Sequence, residues 1–354
     1  MKPGKGPSVP LVPRFGEGAP RSYSVGWKLT ALQGPKVLEV ALHNHRLVCG
    51  HCVVATHLAV EQSFKAMLRQ RIAVAILCML APLSFGQRAS MQSFQIPSHG
   101  ALLNAFVYVA AGPGPHPAVV LLHGFPGNER NLDLAQDIRS AGWDVLYFDY
   151  RGSWGSPGDF SFSHGIEDTA AAIDYLRSAP MARILRLDPS RIVLIGHSLG
   201  GFMAVQAAAA DPGIVGVGLI SAADVGGRIA RPFTKDQEQT TIKALSAAYD
   251  RDGMEPLSGC TPEGLAHEAI ANAMQWSFMN KVGELKTRPL LIVTSEDAYA
   301  RGDQAFAAAL RRAGNSRVAT LHLPTDHAYS DQRGPLSSAF LRWLATVAPP
   351  AASH

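Results

Sequence analysis

Gly196-His197-Ser198-Leu199-Gly200-Gly201 joins an apolar β-branched run, Arg191-Ile-Val-Leu-Ile195, to an alanine-rich segment, Leu199–Ala210. The first run predicts a buried strand and the second a helix, so the serine sits in a strand–turn–helix corner. So sharp a turn leaves no room for side chains at 196 and 200. It holds the serine in a strained backbone conformation with its hydroxyl raised at the sheet edge. The helix beginning at Leu199 aims unpaired N–H groups at the same place, where negative charge is stabilised. G-x-S-x-G alone is a short motif that also occurs as a structural turn. In this setting it reads as a nucleophile elbow.

The surrounding pattern agrees. Strands are predicted at 102–110, Ala118–Leu122, Trp143–Tyr150, Ile214–Ile220, Leu290–Thr294 and Arg317–Leu321. Helices are predicted at Asn131–Ala141, Ile166–Ser178, Gln304–Ala313 and Leu336–Val347. Several strands are apolar throughout, as expected where both faces of a parallel sheet are covered. Alternating strands and helices give an α/β fold with a mostly parallel sheet and helices on both faces. The alternation breaks at about 222–288, where helical stretches (243–249 and 264–282) predict a cap inserted at the C-terminal edge of the sheet.

A serine hydroxyl needs a base to take its proton and an acid to orient that base. Behind an elbow of this kind the order is serine, acid, histidine. His197 adjoins the serine on the turn and points away from it. Of the later histidines, His267 falls in the cap, His354 ends the chain and His322 closes an apolar strand, where packing is expected. His327, in the loop Pro324-Thr-Asp-His-Ala-Tyr-Ser-Asp, follows a strand as the base should. The acid is expected just past Leu290–Thr294, at Asp297 or Glu296. Asp297 is favoured because the third residue beyond a strand end can turn back toward His327. Asp326, adjacent to the histidine, reads as a loop-capping carboxylate. Two backbone donors for an oxyanion are expected at Leu199 and, from His123-Gly-Phe-Pro-Gly127, at Phe125. His123 reads as a prop for that loop.

Taken in order, His123-Gly-Phe-Pro-Gly, Asp149-Tyr-Arg-Gly-Ser-Trp-Gly-Ser156, Gly196-His-Ser-Leu-Gly-Gly, Ser295-Glu-Asp and Asp326-His-Ala-Tyr-Ser-Asp resemble the successive signature loops of the α/β-hydrolase superfamily. The similarity is to its serine aminopeptidase and prolyl-oligopeptidase-like branch and to esterases, and covers roughly 92–348. It implies the α/β-hydrolase fold, a Ser198–Asp297–His327 triad and a Phe125/Leu199 oxyanion hole. Thr294 stands where a glycine is usual. The function expected is that of a serine hydrolase acting on a small ester or short peptide. An aminopeptidase, an acyl transferase and an inactive binding protein of the same fold are the alternatives. Met274, Trp276 and Phe278 in the cap are expected either to line an acyl pocket or to pack the cap onto the core. The cap's carboxylates are scattered along the sequence, so esters are expected to be cleaved faster than aminoacyl amides.

Composition sets the outer bounds. With 354 residues, 47% hydrophobic and 17% charged, the chain can bury a large core, which excludes general disorder. No apolar run reaches the roughly 18 residues of a spanning helix, so stable membrane insertion is not expected. The net charge of +4 arises in residues 1–66, with eight Lys/Arg against three Asp/Glu; the rest carries 24 against 25, which argues against nucleic acid. From Met67, Arg69 and Arg71, the apolar Ile72–Leu83 and Ser84-Phe-Gly86 follow one another as a secretory signal peptide. The expectation is therefore a start at Met67, a mature domain of 87–354, and a secreted or periplasmic protein. Residues 1–66 are then outside the native protein or disordered. Cys49-Gly-His-Cys52 has no second cysteine pair, and no metal or cofactor motif is present, so no cofactor is expected.

Overall fold

In the computed structural model the described residues are 65, 67–70, 87–229 and 234–347. The chain divides into two compact units, Met1–Ala81 and Pro82–His354. In the first, residues 65 and 67–70 are helical and exposed. The rest of the expected signal peptide, the Cys49/Cys52 pair and His354 lie outside the described residues.

The second unit holds an eight-stranded sheet. Its strands are β1 (Ser90–Ser98), β2 (Ala101–Val109), β3 (His116–Leu122), β4 (Asp144–Phe148), β5 (Leu187–His197), β6 (Ile214–Ile220), β7 (Leu290–Thr294) and β8 (Val318–His322). Their spatial order is β1-β2-β4-β3-β5-β6-β7-β8. β1, β2 and β4 pair antiparallel, and every pairing from β4 to β8 is parallel. The all-apolar strands sit in the middle because both their faces are covered. On β3, Val120 and Leu122 enter one core layer while Val119 and Leu121 enter the other. Phe202 and Phe162, from α4 (Leu199–Ala210) and α2 (Phe162–Arg177), fill the first layer. Ile138 and Phe340, from α1 (Leu132–Ser140) and α7 (Arg333–Val347), fill the second. Each fully buried side chain of this size stabilises the fold by about 1.5–3 kcal/mol relative to exposure.

β3 is flanked by β4 on one side and β5 on the other, so successive crossovers leave it in opposite directions. That reversal opens a crevice beyond the strand ends, the general position for a site in such a sheet. The inserted segment lies between β6 and β7 and contains α5 (Lys235–Asp252) and α6 (Pro262–Trp276). It is tied to the sheet domain by polar contacts. The Glu268 carboxylate accepts the N–H groups of Phe162 and Ser163, both at 2.9 Å, and so caps α2. The amides of Trp154 and Phe160 donate to the Pro256 and Ser258 carbonyls, each at 2.9 Å.

Two elements differ from the sequence reading. β1 carries the polar sequence SMQSFQIPS on an exposed edge, where only alternate residues turn inward. A short helix, α3 (Ala179–Leu185), begins with proline in its first turn. Among the described residues no helix is long and apolar enough to cross a membrane.

Candidate active site

Ser198 is the hinge between β5 and α4, with φ 55° and ψ −118°, a conformation that L-residues adopt only under constraint. Three contacts impose it: Ser198 N–H donates to Ile220 O at 2.9 Å, and its carbonyl accepts from Gly201 at 3.0 Å and Ala223 at 2.9 Å. A Cβ at Gly196 would overlap the Gly200 carbonyl, and one at Gly200 would overlap that of Leu122. Glycine is required at both by close approach.

Ser198, Asp297 and His327 line one cavity of about 510 Å³ at the strand ends. His327 Nδ1 and Asp297 Oδ2 are 2.8 Å apart. Serine and imidazole line the same cavity, and among the described residues no hydrogen bond joins the Ser198 hydroxyl to His327. Asp297 is therefore the carboxylate that meets the imidazole. Asp326 instead accepts from the amide and hydroxyl of Ser330, at 2.9 and 2.7 Å, and caps its own loop.

Four donors converge on Asp297. Oδ2 accepts from Ser295 Oγ at 2.8 Å and from His327; Oδ1 accepts the N–H groups of Tyr299 at 2.9 Å and Ala300 at 3.1 Å. Burial works against the charge, but the donors, His327 foremost, outweigh it and hold the carboxyl well below the usual carboxylate range. Behind Ser295 runs a buried hydroxyl chain. Ser221 Oγ lies 3.0 Å from Ser295 Oγ and 2.9 Å from Tyr329 Oη, and Tyr329 donates to Val293 O at 3.1 Å. With the Tyr329 and Ser295 protons committed, Ser221 donates its one proton along this chain and supports the anion.

His327 is held between two rings, His197 at 4.7 Å and Tyr299 at 5.1 Å between centroids. His197 Nε2–H donates to the His327 carbonyl at 2.9 Å. Burial, followed by the neighbouring His327, pushes the His197 pKa down to about 3, so it stays neutral beside the candidate base. The sequence reading excluded His197 as base but missed this supporting role. Its signal was a histidine on the elbow itself. The hydroxyl chain was missed too, although Ser221 and Ser295 directly follow the neighbouring strands β6 and β7.

The candidate oxyanion loop passes directly over the serine: a Cβ on Gly124 would lie 3.0 Å from Ser198 Cβ and 3.6 Å from Oγ. Phe125 and Leu199 thus flank Ser198 in the cavity wall and at the helix start. His123 Nδ1–H donates to Gly124 O at 2.9 Å and Trp154 Nε1–H to Pro126 O at 2.7 Å, which fixes the loop from both sides. Burial holds His123 down at about 4, so it acts as a neutral prop.

The expected pocket residues are placed elsewhere. Trp276 and Phe278 are buried in the core, Trp276 edge-on to Phe162 and Phe202 and Phe278 against Phe306. Met274 is 68% exposed. None of the three lines the cavity: α6 and the turn after it bury Trp276 and Phe278 against the sheet domain and leave Met274 outside, and the insertion contributes Asp252 instead. His322 also departs from expectation. It is exposed at the edge of the sheet, 3.1 Å from Thr294 Oγ1. Among the described residues no group of three or more His, Cys, Asp or Glu is placed to hold a metal ion.

A model of the alpha/beta hydrolase family matches residues 119–346, which include both loops, the elbow and His327. An uncharacterised protein of Mycobacterium tuberculosis is 33% identical over 114 residues, 32% of this chain and 39% of that protein. A thiohydrolase of Arthrinium phaeospermum is 34% identical over 119 residues, 32% of this chain and 36% of the relative. The matched regions thus span little more than a third of these relatives. Among solved structures, the thermophilic carboxylesterase EstE1, cloned from a metagenomic library, superposes with a TM-score of 0.53 at 20% identity, covering 75% of this chain and 91% of its own. At that identity the likeness is one of fold.

Proposed function

The chain belongs to the α/β-hydrolase family, and from that premise we propose that it is a serine hydrolase that cleaves an ester or small amide through an acyl-enzyme. The observation that carries this reading is the strained Ser198 sharing a cavity with the His327–Asp297 pair. Ser198 Oγ attacks the carbonyl carbon while His327 Nε2 takes its proton, and Asp297 stabilises the imidazolium that forms. The carbonyl oxygen becomes an oxyanion and accepts from the N–H groups of Leu199 and Phe125. The carbon–leaving-group bond then breaks, His327 returns the proton to the departing alcohol or amine, and water repeats the sequence to release the acid.

A fluorophosphonate probe tests the reading. Ser198 Oγ should form a bond to phosphorus with loss of fluoride, and Ser198→Ala should abolish both labelling and turnover of p-nitrophenyl esters. Labelling that persists in Ser198→Ala would exclude Ser198 as the nucleophile. The charged, apolar and small-residue order from Met67 to Gly86 further supports export with cleavage before Gln87. N-terminal sequencing of the exported protein should begin at Gln87; residues upstream of Met67 would overturn it.

A further inference from the structure

The cavity above Ser198 carries more negative charge than the reaction requires. Apart from Asp297, whose charge is committed to His327, three carboxylates line it. Glu129 follows the oxyanion loop, Asp252 ends α5, and Asp326 precedes the histidine. They come from three separate parts of the chain, and among the described residues no Lys or Arg lines the cavity with them. Of the neighbouring guanidinium groups, two stack on rings and the third partly offsets Glu129. Arg130 lies 4.5 Å over the Trp154 ring, and Arg228 lies 4.9 Å over that of Tyr299. Arg333 pairs with Asp133 and comes within 3.8 Å of Glu129. Asp252 and Asp326 have no ion-pair partner among the described residues. A second observation is independent of these charges. Ser198 is only 6% exposed, faces the same cavity, and its hydroxyl is unpartnered, so the reacting centre itself lies inside the acidic enclosure.

We propose that this cavity selects esters or amides bearing a positive charge, such as an ammonium or quaternary ammonium group, over neutral isosteres and anions. The proposal rests on Ser198 being the nucleophile. Carboxylates around a concave site focus the field and raise the local concentration of cations. Phe125, which also lines the wall, carries an aromatic side chain of the kind that suits an alkylammonium group. An exposed carboxylate is worth a factor of roughly 1.5–5 in such an interaction, so Asp252 and Asp326, with the partly offset Glu129, give about tenfold at low salt.

The test compares kcat/KM for acetylthiocholine with that for its neutral isostere, 3,3-dimethylbutyl thioacetate. The cationic substrate should be favoured about tenfold at an ionic strength of about 0.01 M, with the ratio approaching one near 1 M, where the Debye length shrinks to about 3 Å. Asp252→Asn should lower the low-salt ratio about two- to fivefold. Asp236→Asn, sixteen residues back and about 24 Å away along the same helix, should leave it unchanged. A ratio near one at low salt, or one that Asp252→Asn and Glu129→Gln both leave in place, overturns the proposal while the Ser198 reading stands. Binding of benzyltrimethylammonium and of benzoate to Ser198→Ala protein, followed by NMR titration, separates the two claims. If the fluorophosphonate does not label Ser198 and wild type cleaves neither thioester, yet the cation binds and benzoate does not, the Ser198 reading fails and the charge selection stands. Equal binding of the two, or none of the cation, refutes the selection.

Discussion

Asp297→Asn should silence the site through a tautomer switch that the structure dictates. Oδ1 of Asp297 accepts two backbone N–H groups, from Tyr299 and Ala300, and neither can reverse its polarity. The asparagine must therefore place its carbonyl oxygen there and its NH₂ group where Oδ2 now meets Ser295 and His327. Ser295 can rotate its hydroxyl and accept from the amide. His327 can escape a donor–donor clash only by moving its proton from Nδ1 to Nε2, the nitrogen required to take the proton of Ser198. Asparagine thus retains the shape and most of the hydrogen bonds while holding the base in its unreactive form. A loss in kcat of about 10⁴ is expected from such a switch, with a smaller change in KM. Asp297→Ala removes the carboxylate without fixing the wrong tautomer. The alanine variant should recover part of its activity as pH rises, which the asparagine variant should not. The assay is kcat for p-nitrophenyl acetate between pH 6 and 9, with circular dichroism to confirm folding. A folded Asp297→Asn enzyme that retains more than about a tenth of wild-type kcat would refute the reasoning.

Other outcomes follow from particular contacts. His197 and His123 are held neutral at about 3 and about 4 by burial, below their unfolded value near 6.5. The unfolded chain therefore binds these protons first, and the stability they confer is complete above about pH 6.5 and lost as pH falls toward their folded values. Urea unfolding at pH 7, 6 and 5 should show a decline of up to about 1.4 kcal/mol per pH unit for each histidine, and a flat profile would contradict it. Glu268→Ala removes the cap from two α2 amides and should cost about 1–2 kcal/mol, read as a drop of a few degrees in Tm; Glu268→Gln, which keeps an acceptor, should lose less. Gly200→Ala drives a methyl group into the Leu122 carbonyl and should abolish probe labelling or folding, whereas Gly302→Ala, with open space around it, should do neither.

How much of this could be read from the sequence depended on whether a feature was local. β6, β7 and α4 begin and end where their apolar runs do, because a strand covered on both faces needs an uninterrupted apolar segment. β1 was illegible for the opposite reason. As an antiparallel edge it needs apolar residues only at alternate inward positions, and its sequence resembles a loop. The elbow was legible because tight backbone contact restricts positions 196 and 200 to glycine. His327 was legible because the loops after successive parallel strands meet at one edge of the sheet.

The acid and the pocket wall depended on contacts the sequence does not order. Asp297 was favoured over Glu296 by its distance past the strand end and Asp326 read as a loop cap, a ranking by position alone; the meeting of two loops is what brings Asp297 to the imidazole. The cap posed the harder problem. Met274, Trp276 and Phe278 marked an apolar stretch, but hydrophobicity drives side chains such as Trp276 and Phe278 toward whatever water-free surface is nearest, here the sheet domain, and leaves Met274 on the outer face. What remains facing the cavity is the polar end of α5, at Asp252. The scattered acids of the insertion pointed in sequence to a solvated surface and a preference for simple esters. In space one of them, Asp252, joins Glu129 and Asp326 in the wall of the cavity that holds Ser198, a convergence of distant segments that spacing along the sequence does not record.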